Sequence, residues 1–166
     1  MNKKIFSENC NLSSYTTIKV GGVAEYFAEP KSIDEFSYLI KWANLSKQRC
    51  QIIGAGSNLL INNIFIKGLV ICTKKMKKLA IEPYSGIVEA EAGVMLPTLS
   101  NTLARNGLRG GEWAVGIPGT LGGAIYMNAG TGNLSLAKNL ISVKVINNKT
   151  CEKLEIEKKD IDFEYR

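Results

Sequence analysis

The sequence predicts an α+β fold, built either as one domain or as two small lobes that share a cleft. Its 166 residues are 45% hydrophobic, which is enough apolar material to bury a core. Short apolar runs typical of strands are mixed with segments in which apolar residues recur at helical spacing. Two glycine-rich segments, 54–58 and 116–132, lie between these elements, where the bare backbone allows a close approach.

The first predicted elements are a strand and a helix. The stretch Leu12–Val20 leads through two glycines into the strand Val23–Phe27, and Pro30 ends that strand. Ser32, followed three residues later by Glu35, is a capping-box signal for the start of a helix. The apolar residues that then recur at helical spacing are Ile33, Phe36, Leu39, Ile40 and Ala43.

The first glycine-rich segment, Gly54–Asn58, lies between the apolar run Gln51–Ile53 and a predicted strand at Leu59–Ile61. Backbone N–H groups of such a loop can hold phosphate oxygens. The segment is not a dinucleotide fingerprint, because Leu59 stands where GxGxxG needs glycine and Lys74 stands where an acidic residue should follow. The chain also has no Walker A sequence. A nucleotide bound here would therefore not indicate a Rossmann fold.

The remaining predicted elements follow from alternation, helical spacing and turn residues. They are strands at Gly68–Thr73 and Gly86–Ala92, a helix with Pro97 in its first turn and Gly107 as its stop, and hairpin strands at Leu140–Ile146 and Cys151–Ile156.

The second glycine-rich segment, 116–132, is apolar and almost uncharged, but it has too much glycine for an ordinary core element. Residues 118–119, Pro-Gly, suit a type II turn, and Thr120 suits the N-cap of a short helix. We expect the N–H groups in the first turn of that helix to bind an anion. Gly122 and Gly123 carry no side chain that would block its approach.

The end of this segment is expected to close the short helix. Asn128 places a side-chain amide there, and Gly130 is expected to end the helix in the left-handed conformation. Two interpretations of the glycines remain open at this point. They accommodate either a ligand pressed against the main chain or a tight, buried helix contact without any ligand.

The composition limits the classes of function. Twenty-one Lys and Arg against fifteen Asp and Glu give a net charge of +6, which favours a polyanionic ligand or a nucleotide. The densest basic run, 74–78, is expected to be a solvated loop and not a nucleic-acid surface, because no aromatic residue alternates with its lysines. The chain contains no histidine, which excludes Ser-His-Asp hydrolysis, Cys-His proteolysis and His-ligated metal sites.

The cysteines and the apolar runs indicate the compartment. The four cysteines are widely separated and form no CxxC pair, so neither a zinc site nor a redox dithiol is expected. The N-terminal residues lack the apolar core of a secretory signal, and no apolar run approaches the roughly 20 residues that span a bilayer. We therefore expect a cytoplasmic protein with reduced thiols, no bound metal and no membrane insertion.

Three separated motifs extend over nearly all of the chain: TIKVGG at Thr17–Gly22, IGAGSNLL at Ile53–Leu60 and GIPGTLGGAIYMNAG at Gly116–Gly130. In this order and spacing they resemble the UDP-N-acetylenolpyruvoylglucosamine reductases, also called UDP-N-acetylmuramate dehydrogenases, of bacterial cell-wall synthesis. The resemblance implies a two-lobed FAD-binding domain of the vanillyl-alcohol oxidase and p-cresol methylhydroxylase type over residues 1–166. Its approximate lobes would be 1–73 and 74–166.

The resemblance also implies which residues bind the cofactor. Main-chain amides of both glycine-rich loops would hold the diphosphate of a non-covalently bound FAD. The cofactor-binding residues that the resemblance carries over are Gly54, Gly56, Ser57, Asn58, Leu59, Ile117, Pro118, Gly119, Thr120, Gly123, Met127, Asn128 and Gly130.

The family reaction is the reduction of UDP-N-acetylglucosamine enolpyruvate to UDP-N-acetylmuramate by NADPH through FAD. The reaction belongs to peptidoglycan synthesis, and so to cell-wall biogenesis, cell shape and cell division. A Tyr-Arg motif of the family matches Tyr165-Arg166, so Arg166 would be the catalytic residue that holds the substrate carboxylate. The serine proton donor and the glutamate of the family lie in a following substrate-binding domain, and this sequence ends before both.

We therefore expect the FAD-binding part of an oxidoreductase, without its full activity. An alternative is a stand-alone or partner-dependent flavin-binding module that performs no catalysis of its own. A further alternative is a basic nucleotide-binding or nucleic-acid-binding protein without flavin.

Overall fold

The computed structural model describes residues 5–62 and 64–164 and divides the chain into two units. The first unit comprises residues 1–76 and 146–152, and the second comprises residues 77–145 and 153–166. The segment 146–152 thus belongs to the first unit although it follows most of the second unit in sequence. Within the described residues, no helix is both long enough and apolar enough to cross a membrane.

The first unit is a four-stranded sheet with one long helix. Its elements are β1 (Ser7–Asn11), β2 (Val23–Ala28), α1 (Ile33–Leu45), β3 (Cys50–Ile53) and β4 (Phe65–Cys72). The strand order is β1-β2-β4-β3. β1 pairs antiparallel with β2, whereas β4 pairs in parallel with both β2 and β3.

The sheet of the first unit is covered on both faces along β4. Successive side chains of a strand point to opposite faces. Val70 and Cys72 accordingly pack in one cluster with Leu12, whereas Leu69 and Ile71 pack in another cluster with Leu39, Ile40 and Ala43 of α1. Burial on both faces explains why residues 69–72 of β4, Leu-Val-Ile-Cys, are all apolar.

The second unit contains short strands and three helices. They are β5 (Leu79–Ile81), β6 (Val88–Ala90), α2 (Leu96–Arg105), α3 (Leu121–Tyr126), β7 (Gly130–Thr131), β8 (Leu134–Ser135), α4 (Leu136–Asn139), β9 (Ser142–Ile146) and β10 (Lys153–Glu157). β5 pairs antiparallel with β6 and β7 with β8, and β9 and β10 form a further two-stranded sheet. The core of this unit is a cluster that includes Val94, Leu96, Trp113, Ala114, Leu121, Ala124 and Leu136.

Most predicted elements are confirmed with shifted ends. The Ser32 hydroxyl caps α1 by accepting the N–H of Glu35 at 3.2 Å, as the capping-box signal predicts. α2 has proline in its first turn and ends before Gly107, whose φ of 70° is left-handed. The hairpin prediction is confirmed by β9 and β10.

Other predictions were wrong. The predicted strand at Leu59–Ile61 is irregular chain, with Leu59 40% and Leu60 74% exposed, because this stretch pairs with no strand of the sheet. The predicted strand at Gly86–Ala92 is only three residues long. The strands β1, β5, β7 and β8 and the helix α4 were not predicted.

Candidate functional site

The first glycine-rich loop leaves the sheet at the end of β3, and the chain's own donors bind its carbonyl groups. The Thr73 hydroxyl donates to the carbonyl oxygen of Ile53 at 3.3 Å, and the Cys72 thiol donates to that of Gly54 at 3.5 Å. The N–H of Thr17 donates to the carbonyl oxygen of Gly56 at 3.2 Å. Three of the four successive carbonyl groups from Ile53 to Gly56 are therefore anchored.

Anchoring these carbonyl groups also orients the N–H groups of the loop. In a planar trans peptide, the C=O of one residue and the N–H of the next point in opposite directions. The N–H of Ala55 therefore points away from Cys72, and the N–H of Ser57 points away from Thr17. Within residues 5–62 and 64–164, the N–H groups of Ala55, Gly56 and Asn58 donate to no acceptor. The loop thus has backbone donors that are available to a ligand.

Gly56 is required by the packing of the loop as well as by its conformation. Its φ is 67°, and a Cβ at this position would lie 2.0 Å from the carbonyl oxygen of Tyr15. The Tyr15 ring packs on Phe27 with ring centroids 4.4 Å apart. The TIKVGG motif and the residues before it therefore form the surface on which the loop rests.

The second glycine-rich segment folds as predicted at Thr120. This residue is 2% exposed, and its hydroxyl accepts the N–H of Gly123 at 3.4 Å as the N-cap of α3. Gly119 has a φ of 140°, which favours glycine, and its carbonyl oxygen accepts the N–H of Leu96 at 3.0 Å. Ile117 is half-buried and Pro118 is exposed.

The expectation that the first-turn N–H groups of α3 are free was wrong, since that of Gly123 donates to the Thr120 hydroxyl and the two before it are also hydrogen-bonded. Leu121 donates to the carbonyl oxygen of Val94 at 2.7 Å, and Gly122 donates to that of Ala92 at 2.9 Å. In the described part of the chain, the N–H groups of Gly119 and Thr120 donate to no acceptor. The backbone donors that remain for a ligand therefore lie before the helix rather than within its first turn.

The glycines of this segment fall into two classes according to their surroundings. A Cβ on Gly122 would lie 2.8 Å from the Cβ of Ala92, and a Cβ on Gly130 would lie 2.2 Å from the carbonyl oxygen of Leu134. In contrast, a Cβ on Gly116 would meet nothing within 4 Å, and one on Gly123 would meet only the Thr120 hydroxyl at 3.4 Å. The packing of the chain requires glycine in the first class but does not explain it in the second.

Asn128, not Gly130, ends α3 in the left-handed conformation. Asn128 has a φ of 44°, and its N–H donates to the carbonyl oxygen of Ile125 while that of Ala129 donates to Ala124. These two bonds form a Schellman motif with Asn128 at the left-handed position. Gly130 lies in β7 instead, because the asparagine two residues earlier has already ended the helix.

The side chain of Asn128 also has unfilled hydrogen-bonding capacity. Its Nδ2 donates to the carbonyl oxygen of Glu164 at 3.1 Å. Its Oδ1 is buried and has no hydrogen-bond partner among the described residues. Because a buried acceptor without a partner is costly, this amide is suited to contact a ligand group. Met127, the neighbouring candidate, is half-buried.

The ionisable groups near the first loop are paired. Lys75 Nζ lies 2.7 Å from Glu29 Oε2, and the Tyr15 hydroxyl donates to the same oxygen at 3.4 Å. Burial, followed by the charge of Glu29, raises the pKa of Tyr15 to about 12. Burial also raises the pKa of the Cys72 thiol, which therefore stays protonated at neutral pH. Within the described residues, no cluster of acidic or thiol groups is arranged to hold a metal ion.

Sequence reasoning missed the three residues that anchor the first loop. Thr17 lies within a recognised motif, but Cys72 and Thr73 carry no local signal, because their role depends on the parallel pairing of β3 with β4. The predicted catalytic residue Arg166, together with Tyr165, lies outside the described residues.

Comparison with known proteins places these features in context. A family model described as an FAD binding domain matches residues 24–152. A UDP-N-acetylenolpyruvoylglucosamine reductase of Prochlorococcus marinus subsp. pastoris is 69% identical over 161 residues, which cover 97% of this chain and 54% of the relative. Its counterpart from Prochlorococcus marinus strain NATL2A is 47% identical and covers 100% of this chain and 57% of the relative. These relatives confirm the resemblance carried by the three motifs.

Solved structures give the same result for the fold. A crystal structure of UDP-N-acetylenolpyruvylglucosamine reductase from Thermus caldophilus matches with a TM-score of 0.75 at 30% identity, covering 97% of this chain and 56% of that chain. An alkyldihydroxyacetonephosphate synthase matches with a TM-score of 0.66 at 18% identity, covering 87% of this chain and 28% of that chain, which shows the fold alone. The chain spans about half the length of the curated relatives it matches.

Proposed function

We propose how this chain holds FAD from the premise that it belongs to the FAD-binding domain family that its residues 24–152 match. Its α+β fold is of the vanillyl-alcohol oxidase and p-cresol methylhydroxylase type. Residues 54 and 56–59 of the first unit bind FAD non-covalently, mainly through backbone N–H groups. In the second unit, Gly119 and Thr120 contribute backbone N–H groups, Ile117, Pro118 and Gly123 line the cofactor, and Met127, Asn128 and Gly130 complete the contacts.

The observation that carries this proposal is the anchoring of the Gly54–Asn58 loop. Its carbonyl groups are bound by Thr73, Cys72 and Thr17, whereas Ala55, Gly56 and Asn58 retain N–H groups without an acceptor in the described chain. Such backbone donors in a loop fit a phosphate group. The bond from Cys72 to the Gly54 carbonyl oxygen fixes the N–H of Ala55 before binding, so little entropy is lost in ordering that peptide when the diphosphate arrives.

The second unit supports the proposal through Gly123 and Asn128. Gly123 is exposed, and the packing of the chain does not require it to be glycine. A phosphate approaching the backbone closely would require it. The buried Oδ1 of Asn128 would gain a partner from a donor group of the bound cofactor.

For the whole protein we propose the activity that the names of its relatives state. Bound FAD would supply the hydride-transfer chemistry for reduction of UDP-N-acetylglucosamine enolpyruvate, with NADPH as the donor. The residues of this chain bind and orient the cofactor, and Arg166 holds the substrate carboxylate through two parallel charge-assisted hydrogen bonds. The approximate lobes 1–73 and 74–166 form the FAD-binding domain.

We place this reaction in the cytoplasm, as a step of cell-wall synthesis that supports cell shape and division. The four cysteines are free thiols, which suits a reducing compartment. No nucleic-acid partner is proposed, because the basic run 74–78 includes Lys75 paired with Glu29 and the buried Met76.

The proposal is tested by titrating the purified 166-residue chain with FAD and following flavin fluorescence and absorbance. Saturable binding of one FAD per chain is expected, and a chain that leaves the flavin spectrum unchanged at micromolar concentration would overturn the proposal. Addition of NADPH and the UDP-sugar substrate then distinguishes two functions. Bound FAD without turnover favours a flavin-binding module that needs further chain or a partner, whereas bleaching by NADPH with turnover shows a complete reductase.

A further inference from the structure

We propose that Cys72 and Thr73, at the carboxyl end of β4, are positioning residues for the FAD diphosphate, because their side chains fix the peptide groups of the Gly54–Asn58 loop. This inference rests on the proposed FAD binding and assigns the preorganisation of the loop to two named side chains. Neither residue is expected to touch the cofactor.

The geometry follows from the pairing of two parallel strands. Ile53, the last residue of β3, is in register with Cys72, the last residue of β4. Beyond this pair the backbone ladder ends, because the chain after Ile53 turns into the loop. The side chains of Cys72 and Thr73 replace the missing ladder bonds by donating to the carbonyl oxygens of Gly54 and Ile53.

Each of these bonds sets the direction of one N–H group of the loop. Thr73 fixes the peptide between residues 53 and 54, and Cys72 fixes the peptide between residues 54 and 55. Glycine at position 54 would otherwise let both peptides rotate over a wide range of φ and ψ. The two side chains therefore hold the first donors of the loop in one orientation.

Cys72 is suited to this role because its thiol remains a donor. The residue is 0% exposed, and burial raises its pKa, so the S–H group is retained at neutral pH. Thr73 is 5% exposed, so its hydroxyl has little access to competing water.

The test compares four variants of the 166-residue chain with one control variant. Cys72→Ala and Thr73→Val remove the donor, whereas Cys72→Ser and Thr73→Ser retain a hydroxyl donor at each position. Leu39→Ala, in the other core cluster of the first unit, is the control for a general loss of packing. The Kd for FAD is measured at 25 °C, and the free energy of unfolding of the FAD-free chain is measured by urea denaturation.

Both donor-removing variants are expected to raise the Kd for FAD at least fivefold, while the two serine variants stay within about twofold of the unchanged chain. Leu39→Ala is expected to be the less stable protein yet to retain its FAD affinity while folded. Unchanged FAD affinity in Cys72→Ala and Thr73→Val would overturn the proposal. Equal loss in the serine variants would also overturn it, because the effect would then follow packing and not the hydrogen bond.

A second measurement separates this inference from FAD binding itself. In the FAD-free chain, NMR order parameters of the Gly54 and Ala55 amides are expected to be lower in the donor-removing variants, because the two peptides are then free to rotate. The order parameters of the β1 amides are expected to stay unchanged. Unchanged order parameters at Gly54 and Ala55 would overturn the positioning role, whereas failure of the native chain to bind FAD would overturn the proposed function without changing this measurement.

Discussion

The Cβ of Ala92 lies 2.8 Å from the position that a Cβ on Gly122 would occupy, and the N–H of Gly122 donates to the carbonyl oxygen of Ala92 at 2.9 Å. The adjacent Gly123 is exposed and faces only the Thr120 hydroxyl at 3.4 Å. Two neighbouring glycines in one turn of α3 are therefore glycine for different reasons. The first permits close packing of two backbone segments, and the second leaves open the space that we assign to a ligand.

The first prediction concerns stability at these two positions. Gly122→Ala is expected to lower the free energy of unfolding by about 1–3 kcal/mol, because the new methyl group overlaps Ala92. Gly123→Ala is expected to be neutral or to stabilise by up to about 1 kcal/mol, since alanine is the better helix former and the site has room. Urea denaturation of the FAD-free variants measures both values. Equal destabilisation by both substitutions would contradict the assignment.

The second prediction concerns FAD binding at Gly123. Gly123→Val is expected to raise the Kd for FAD at least tenfold, because a branched side chain would occupy the space that a phosphate must enter. Ala104→Val is the matched control, since it places the same side chain on an exposed position of α2 in the same unit. Flavin fluorescence titration of both variants provides the measurement. If Gly123→Val binds FAD as tightly as Ala104→Val, the second unit does not use this backbone.

The third prediction separates the two roles of Asn128. Asn128→Gly is expected to preserve the left-handed end of α3, whereas Asn128→Ala should cost about 1–2 kcal/mol, because alanine lacks the polar side chain that lets asparagine adopt that conformation. Both variants lack the buried Oδ1 and are expected to bind FAD at least threefold more weakly. Thermal denaturation and FAD titration are run on the same samples. Full FAD affinity in Asn128→Gly would show that the amide serves the fold alone.

The fourth prediction concerns the pH dependence of stability at Tyr15. Its pKa is raised from the ordinary 10.0 to about 12 by burial and then by the charge of Glu29. Below pH 10 the phenol is protonated in both the folded and the unfolded chain, so its contribution to stability is fully present. Between pH 10 and 12 the unfolded chain loses the proton first, and the free energy of unfolding therefore falls.

Urea denaturation from pH 8 to 11.5 measures this effect in the unchanged chain and in Tyr15→Phe. The stability advantage of the unchanged chain over Tyr15→Phe is expected to shrink steadily above pH 10. Tyr84→Phe, at a fully exposed position of the second unit, is the control and should show no such trend. A difference between the chain and Tyr15→Phe that is constant across this range would show that Tyr15 does not retain its proton on folding.

Local features of the chain could be predicted from the sequence, because each depends on residues that are close together along the chain. The cap at Ser32 and the cap at Thr120 each depend on a hydroxyl and an N–H group three residues later, and both are present. The left-handed stop at Gly107 also follows from a single residue. Where two local signals compete, as at Asn128 and Gly130, sequence order alone did not decide which residue would end the helix.

Long-range relationships could not be read in the same way. The strand predicted at Leu59–Ile61 failed because an apolar run becomes a strand only if another strand pairs with it. The anchoring of Gly54 by Cys72 depends on the register of β3 against β4, which places residues from separate parts of the chain side by side.

The order of residues was sufficient to establish an FAD-binding family and its mixed fold class, and it predicts the two stretches of backbone that we assign to the cofactor, because glycine, proline and capping residues constrain the main chain wherever they occur. The tertiary structure showed which glycines are required by the packing of neighbouring atoms and which backbone N–H groups are already hydrogen-bonded. Those properties depend on distances between residues such as Ala92 and Gly122, and such distances exist only after the chain has folded.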